Sequence, residues 1–164
     1  MTPLIRKASR SDAIWVAQHL QDDDRQELEG LGHTMMEVAI CLSVDISDDP
    51  VTFLNPLGEI CGVAGVSRTD AHSGAIWMMT TTAIHNCPPK LFFKEAKKWV
   101  EQQTSYEMLH NIADPRNKKH LKLLHMLGFK KLMYVTTQTN LTYVEFAKLT
   151  KCVHPSLSDL PLVV

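Results

Sequence analysis

The residues best placed by type and spacing to do chemistry lie between Asn111 and Phe129. The run Asn111-Ile-Ala-Asp114-Pro-Arg116-Asn117 ends a strand and leads into a helix, Lys118 to Leu127, that Gly128 closes. Asn117 stands at the start of that helix. Its side-chain oxygen either caps the first turn or meets a polar ligand, and one geometry serves both roles. Groups able to take a proton near the central strands are Asp70, His72, Glu107 and His110. Glu107 opens a strand and reads as solvent-facing, and His110 reads as a core histidine bonded to a backbone carbonyl. No residue is singled out as catalytic. The eight histidines form no HxxxH or HExxH pair, and the four cysteines (Cys41, Cys61, Cys87, Cys152) lack CxxC spacing. The expectation is no metal site, no disulfide framework and a reducing compartment.

At 164 residues and 45% hydrophobic content the chain is long enough for one domain with a single large core. A formal charge of −1 gives no general attraction to nucleic acid, so no specific nucleic-acid binding is expected. The basic run Lys118-Lys119-His120 with Lys122 reads as a solvated helix face. No apolar segment is long enough to span a membrane, and Met1 to Arg6 lacks a signal-peptide pattern, so the protein is not expected to be secreted.

These residues must be positioned by a succession of elements. Leu4 to Lys7 reads as a strand. Ser9 with Asp12 is a capping pattern that opens a helix carrying Ala13, Val16, Ala17 and Leu20. Asp22 to Asp24 reads as a break, followed by one helical turn from Arg25 to Leu28. Thr34 with Glu37 reads as a second cap, opening the helix of Met36, Ala39, Ile40 and Val44. Val51 to Asn55 and Ile60 to Val66 form a hairpin about Pro56-Leu-Gly58. After a polar loop, Arg68 to Gly74, comes a long β-rich run, Ala75 to Ile84. Pro88 to Gln103 is amphipathic, with Phe92, Ala96, Trp99 and Val100 inward and Asn86 as its cap. Glu107 to Ile112, Lys130 to Gln138 and Leu141 to Phe146 are strands. The helix between Ile84 and Glu107 makes a βαβ crossover, so its flanking strands are parallel. The fold class is α/β (α+β), a mostly antiparallel mixed sheet with that one crossover and helices on both faces. Residues 1–146 form one domain and 147–164 a tail.

This order of elements, from Leu4 to Phe146, resembles the GNAT N-acetyltransferase superfamily. Within it, Trp77-Met-Met-Thr-Thr-Thr82, Phe92 to Trp99, Leu109-His-Asn111, Asp114, Arg116-Asn117, His120 and Leu127-Gly-Phe129 together resemble a family of tailed-phage proteins, internal virion protein A or GNAT-like acetyltransferases. The resemblance implies acetyl-CoA as cofactor. Its pantetheine would run beside the central strand and Asn117, and its pyrophosphate would lie at the loop before the next helix. Carried onto this chain, the binding residues are Thr81, Thr82, Ile84, Asn86, Lys90 and Asn117. Two departures stand out. The loop Ala83 to Lys90 has no glycine, and Pro88 and Pro89 have no N–H to offer an anion. The tyrosine that serves many such enzymes as acid is replaced by Leu124, while Tyr134 and Tyr143 read as packing residues of the last hairpin. Two functions follow: a catalytically degenerate GNAT-fold phage protein acting by contact with virion or host proteins, or an active N-acetyltransferase modifying one of them. Either places the protein in the host cytoplasm or the virion. The missing groups favour the first, for which the half-apolar edge at Trp15 is a candidate docking point.

Overall fold

The computed structural model describes residues 4–151. In chain order these form β1 (Ile5–Lys7), α1 (Arg10–Gln18), α2 (Asp22–Gly30), α3 (Met36–Ile46), β2 (Asp48–Leu54), β3 (Ile60–Arg68) and β4 (Ser73–Thr80). A 3-10 helix (Thr82–Asn86) then leads to α4 (Pro89–Glu101), β5 (Met108–Ala113), α5 (Lys118–Met126), β6 (Lys130–Thr136) and β7 (Thr142–Leu149). The strands make one sheet in the order β1-β2-β3-β4-β5-β7-β6. Only β4 and β5 are parallel, as the single crossover through α4 requires. The predicted mixed sheet is the observed one.

Side-chain alternation along the strands divides the core in two. Ala64, Val66 and Ile76 face a cluster with Phe53, Ala96, Trp99, Leu109, Leu124 and Phe146, under α4 and α5. Val63 faces the other way, into a cluster with Ala13, Val16, Leu28, Met36 and Ile40 from α1, α2 and α3. The Ser9–Asp12 capping box forms as expected. Asp12 is also tied to Arg6 at 2.7 Å and to the Thr52 hydroxyl at 2.9 Å, so α1 is pinned to β1 and β2.

Several local expectations are corrected. Asp22 to Gly30 is a helix of nine residues, not a break and one turn. Its three aspartates occupy the first turn, where the helix dipole favours negative charge, so a cluster that reads as turn-forming instead starts the helix. Thr34 does not cap α3, whose N-cap is Met35 without a side-chain bond. Asn86 does not cap α4, because the 3-10 helix displaces that role to Pro88. β4 stops at Thr80, since the Thr81 hydroxyl accepts the Ala83 N–H and turns the chain into the 3-10 helix. β3 runs through Arg68, which leaves Thr69 to His72 as the loop. β7 continues to Leu149, three residues past the predicted strand end, while residues 152–164 of the predicted tail lie outside the described residues. Tyr143 is fully buried in β7, but Tyr134 on the edge strand β6 is 70% exposed and packs little.

Candidate active site

The parallel pairing of β4 and β5 is short. Ser73, Gly74 and Ala75 pair with Met108, Leu109 and His110, and the strands then part. Asn111 marks the parting point, its side-chain amide donating to the Ile76 carbonyl at 2.8 Å in place of a backbone partner. Between the separated halves lies a cleft of about 720 Å³. It reaches through the sheet, from Phe92, Leu123 and Leu124 on the α4/α5 side to Ser43 and Trp77 on the α3 side. Most of its wall is apolar, which suits a ligand with a methylene backbone and few charges.

Polar groups converge beyond the paired stretch, between the end of β4 and the start of α5. From α2, the Asp24 carboxylate accepts the Thr80 N–H at 2.8 Å and the Thr80 hydroxyl at 2.6 Å through Oδ2. Its Oδ1 accepts the Asn117 amide at 3.3 Å, so Asp24 spans the gap from the end of β4 to the start of α5. One turn along α2, Glu27 accepts from the Asp114 N–H through Oε1 at 3.2 Å. Glu27 Oε2 accepts the Asn117 amide at 3.2 Å and pairs with His120 Nδ1 at 3.1 Å. Tyr143 anchors this turn of α2 by donating its hydroxyl to the Glu27 carbonyl at 2.6 Å.

Electrostatics in this cluster are set by burial and mutual pairing. Burial raises Asp24 above the usual carboxylate range despite the two bonds from Thr80. His120, its side chain 22% exposed, is pushed down by burial, but the Glu27 bond and the charges of Glu27 and Asp24 outweigh this and raise it. Burial acts upward on Asp114 as well, yet the Arg116 guanidinium holds its carboxyl below the ordinary value. With Nδ1 held by Glu27, His120 presents Nε2. Among the described residues nothing bonds that atom, and His120 is one of the residues that line the cleft.

The residues singled out from sequence fall in three places. Asn117 and Ile84 line the cleft, and Asn117 also caps α5 by accepting the His120 N–H at 3.3 Å. Thr81, Thr82 and Asn86 line a separate, smaller groove beside Trp15 and His19. Lys90 stands exposed on the first turn of α4, outside the lining of either. Asp70, His72, Glu107 and His110 gather instead at the closed end of the β4–β5 pair. There His72 pairs with Glu107 at 2.9 Å and His110 with the Thr69 hydroxyl at 3.0 Å, and none of the four lines the cleft. His110 thus bonds a hydroxyl, not the backbone carbonyl expected. Sequence reasoning missed Asp24 and Glu27, and it assigned His120 to a solvated face. The available signal was that Asp24, Glu27 and Leu28 share one helical stripe once α2 is allowed to form.

Several solved structures share this fold. A GNAT-family acetyltransferase from Streptococcus pneumoniae superposes with a TM-score of 0.58 at 21% identity, covering 90% of this chain and 98% of its own. The aminoglycoside acetyltransferase AAC(6')-Ib in complex with coenzyme A gives 0.63 at 18%, covering 88% and 93%. The fold is that of the GNAT acetyltransferases. Spermidine N-acetyltransferase from Vibrio cholerae, in complex with coenzyme A and spermine, gives 0.64 at 9% identity over 88% and 94%. No family model and no curated protein sequence matches the chain. His120 lies four residues before Leu124, on the same face of α5. Met78 lies two residues before Thr80, so its N–H and C=O point to the same open side of β4 as the Thr80 groups held by Asp24 and Gln21.

Proposed function

We propose that the protein is an N-acyltransferase that moves an acyl group from a pantetheine thioester to a cationic amine. The observation that carries this reading is the Glu27–His120 pair, with Nε2 unbonded, among the residues that line a cleft between splayed strands. Burying two carboxylates beside one histidine is costly unless the site uses them, which is why such clusters mark functional sites. The GNAT fold supports the reaction class, and the coenzyme, aminoglycoside and spermine named for its structural neighbours suit the same chemistry.

The donor enters from the α4/α5 side, its arm lying against Met78 and the apolar wall. The amine enters from the α2/α3 side, where Asp24 and Glu27 attract its positive charge. A protonated amine cannot attack, so a base must remove one proton. The ammonium loses that proton to solvent before attack. As the neutral nitrogen bonds to the acyl carbon, His120 Nε2 takes a second proton, the C–S bond breaks and the thiolate leaves. His120, a turn from Leu124, then returns the proton to the thiolate, doing the work of the absent tyrosine. The test is thiol release from acetyl-CoA with a panel of polyamines, aminoglycosides and peptide amines. Amine-dependent release is expected. No release, together with no thermal shift at millimolar coenzyme, sinks the reading.

A second reading has its own observation. The backbone N–H groups of Thr81, Thr82, Ile84 and Cys87 are bonded within the protein, and α3 exposes Met35, Val38, Leu42 and Ile46 along one side. On this reading the protein is a non-catalytic phage component acting by contact, and mass spectrometry of purified particles is expected to detect it. Its absence from them counts against that role.

A further inference from the structure

The two ends of the cleft differ in what they offer a donor. The inner end offers the open backbone N–H and C=O of Met78 on β4 between apolar walls, while the side-chain amides of Asn111 and Asn117 are held by bonds within the protein. The Met78 groups and the walls suit a neutral, amide-bearing thiol arm. The outer end, where β4 runs into α4, is where a phosphate would need an array of free N–H groups. That array is reduced to the N–H groups of Lys90 and Leu91 in the first turn of α4, which have no bonding partner among the described residues. The N–H of Thr81 donates to the Cys61 carbonyl at 2.8 Å and that of Thr82 to the His19 carbonyl at 3.3 Å. Ala83 donates to the Thr81 hydroxyl at 3.2 Å. Ile84 donates to the Thr81 carbonyl at 3.1 Å and Cys87 to the Ile84 carbonyl at 3.0 Å. Pro88 and Pro89 have no N–H at all. Lys90 is nearby but exposed, and a mobile point charge does not replace fixed donors.

Resting on the acyl-transfer reading above, we infer that the donor is recognised chiefly through its acyl group and pantetheine arm, so that a thioester lacking the nucleotide diphosphate serves nearly as well as acetyl-CoA. Such an arm exists free or attached through one phosphate to a serine of a carrier protein. The covalent step is the same in both: a C–N bond forms, the C–S bond breaks, and the amine's proton leaves on the pantetheine thiol through His120.

Calorimetric titration of the full chain with pantetheine, phosphopantetheine and coenzyme A tests this. The expected Kd values agree within about threefold, a difference well under one decade of affinity. Coenzyme A binding about a hundredfold tighter than pantetheine overturns the inference and leaves acyl transfer standing. No binding of any of the three at millimolar ligand overturns both. The double variant P88G/P89A supplies two N–H groups, checked for folding by its thermal melt. It is expected to bind coenzyme A roughly tenfold more tightly and pantetheine as before, since a charge-assisted bond is worth a decade or more. Equal change or no change toward both ligands overturns the donor accounting. A phosphopantetheinylated serine peptide separates the sources: binding as tight as pantetheine supports a protein-borne arm, and weaker binding supports a free thioester.

Discussion

On the acyl-transfer reading, His120 is the residue on which the chemistry turns. Replacing it with glutamine keeps its bulk and removes its proton exchange, so H120Q is expected to lower amine-dependent thiol release by about 10²- to 10⁴-fold while retaining the fold. The wild-type rate should rise with pH through a midpoint above the ordinary histidine value, because Glu27 and Asp24 raise His120 and the base must be neutral to act. E27Q removes the nearest negative charge, and its midpoint should fall toward the ordinary value. A pH–rate profile reads both outcomes. An unchanged midpoint in E27Q would show that the limb belongs to another group.

At the scale of elements, α2 decides the site although it is the helix least evident from sequence. Of its nine residues only Leu28 is a buried hydrophobic, and the rest of its inner face is Asp24, Glu27 and Gly30. Gly30 is required because a Cβ there would meet the Tyr143 hydroxyl that holds the helix. G30A is expected to cost about 1–3 kcal/mol in urea unfolding by overpacking. The double variant G30A/Y143F should recover part of that loss, since the two positions touch. Helix α1, by contrast, is legible residue by residue from its Ser9–Asp12 box. Burial alone would raise Asp12, but Arg6, the Ser9 amide and the Thr52 hydroxyl bring it down to about 2. Being depressed, it adds stability that is fully present above the ordinary carboxylate value and is lost as pH falls toward about 2. D12N is therefore expected to lose about 1–2 kcal/mol at neutral pH and to flatten the acid limb of a denaturation profile.

For the whole molecule, the site is a polar seam between two apolar clusters on opposite faces of one sheet. Asp24 and His120 are both raised, so the folded state holds protons that the unfolded chain releases more readily. Their contribution is complete below the unfolded values and fades as pH rises through the folded ones. Between about pH 6 and pH 8 the urea midpoint should therefore fall in the wild type, chiefly through His120, and fall less in H120Q. An equal fall in both would assign the pH dependence to other groups.

Taken by itself, the sequence determined several features that depend on neighbours along the chain, though not the starts of α2, α3 and α4. The Ser9–Asp12 cap, the amphipathic stripe of α4, the Gly128 closure of α5 and the parallel crossover follow from short-range spacing. The two prolines before α4 remove donors whatever the fold. Tertiary structure alone decided which charges lose their water. Asp24 and Glu27 meet Asn117 and His120 across some ninety residues of sequence. No local pattern encodes that meeting, because desolvation is a property of what packs around a group and not of the group's position in the chain. The same packing turned Asp70, His72, Glu107 and His110 away from the cleft and brought a run of apparent surface residues, through His120, into it.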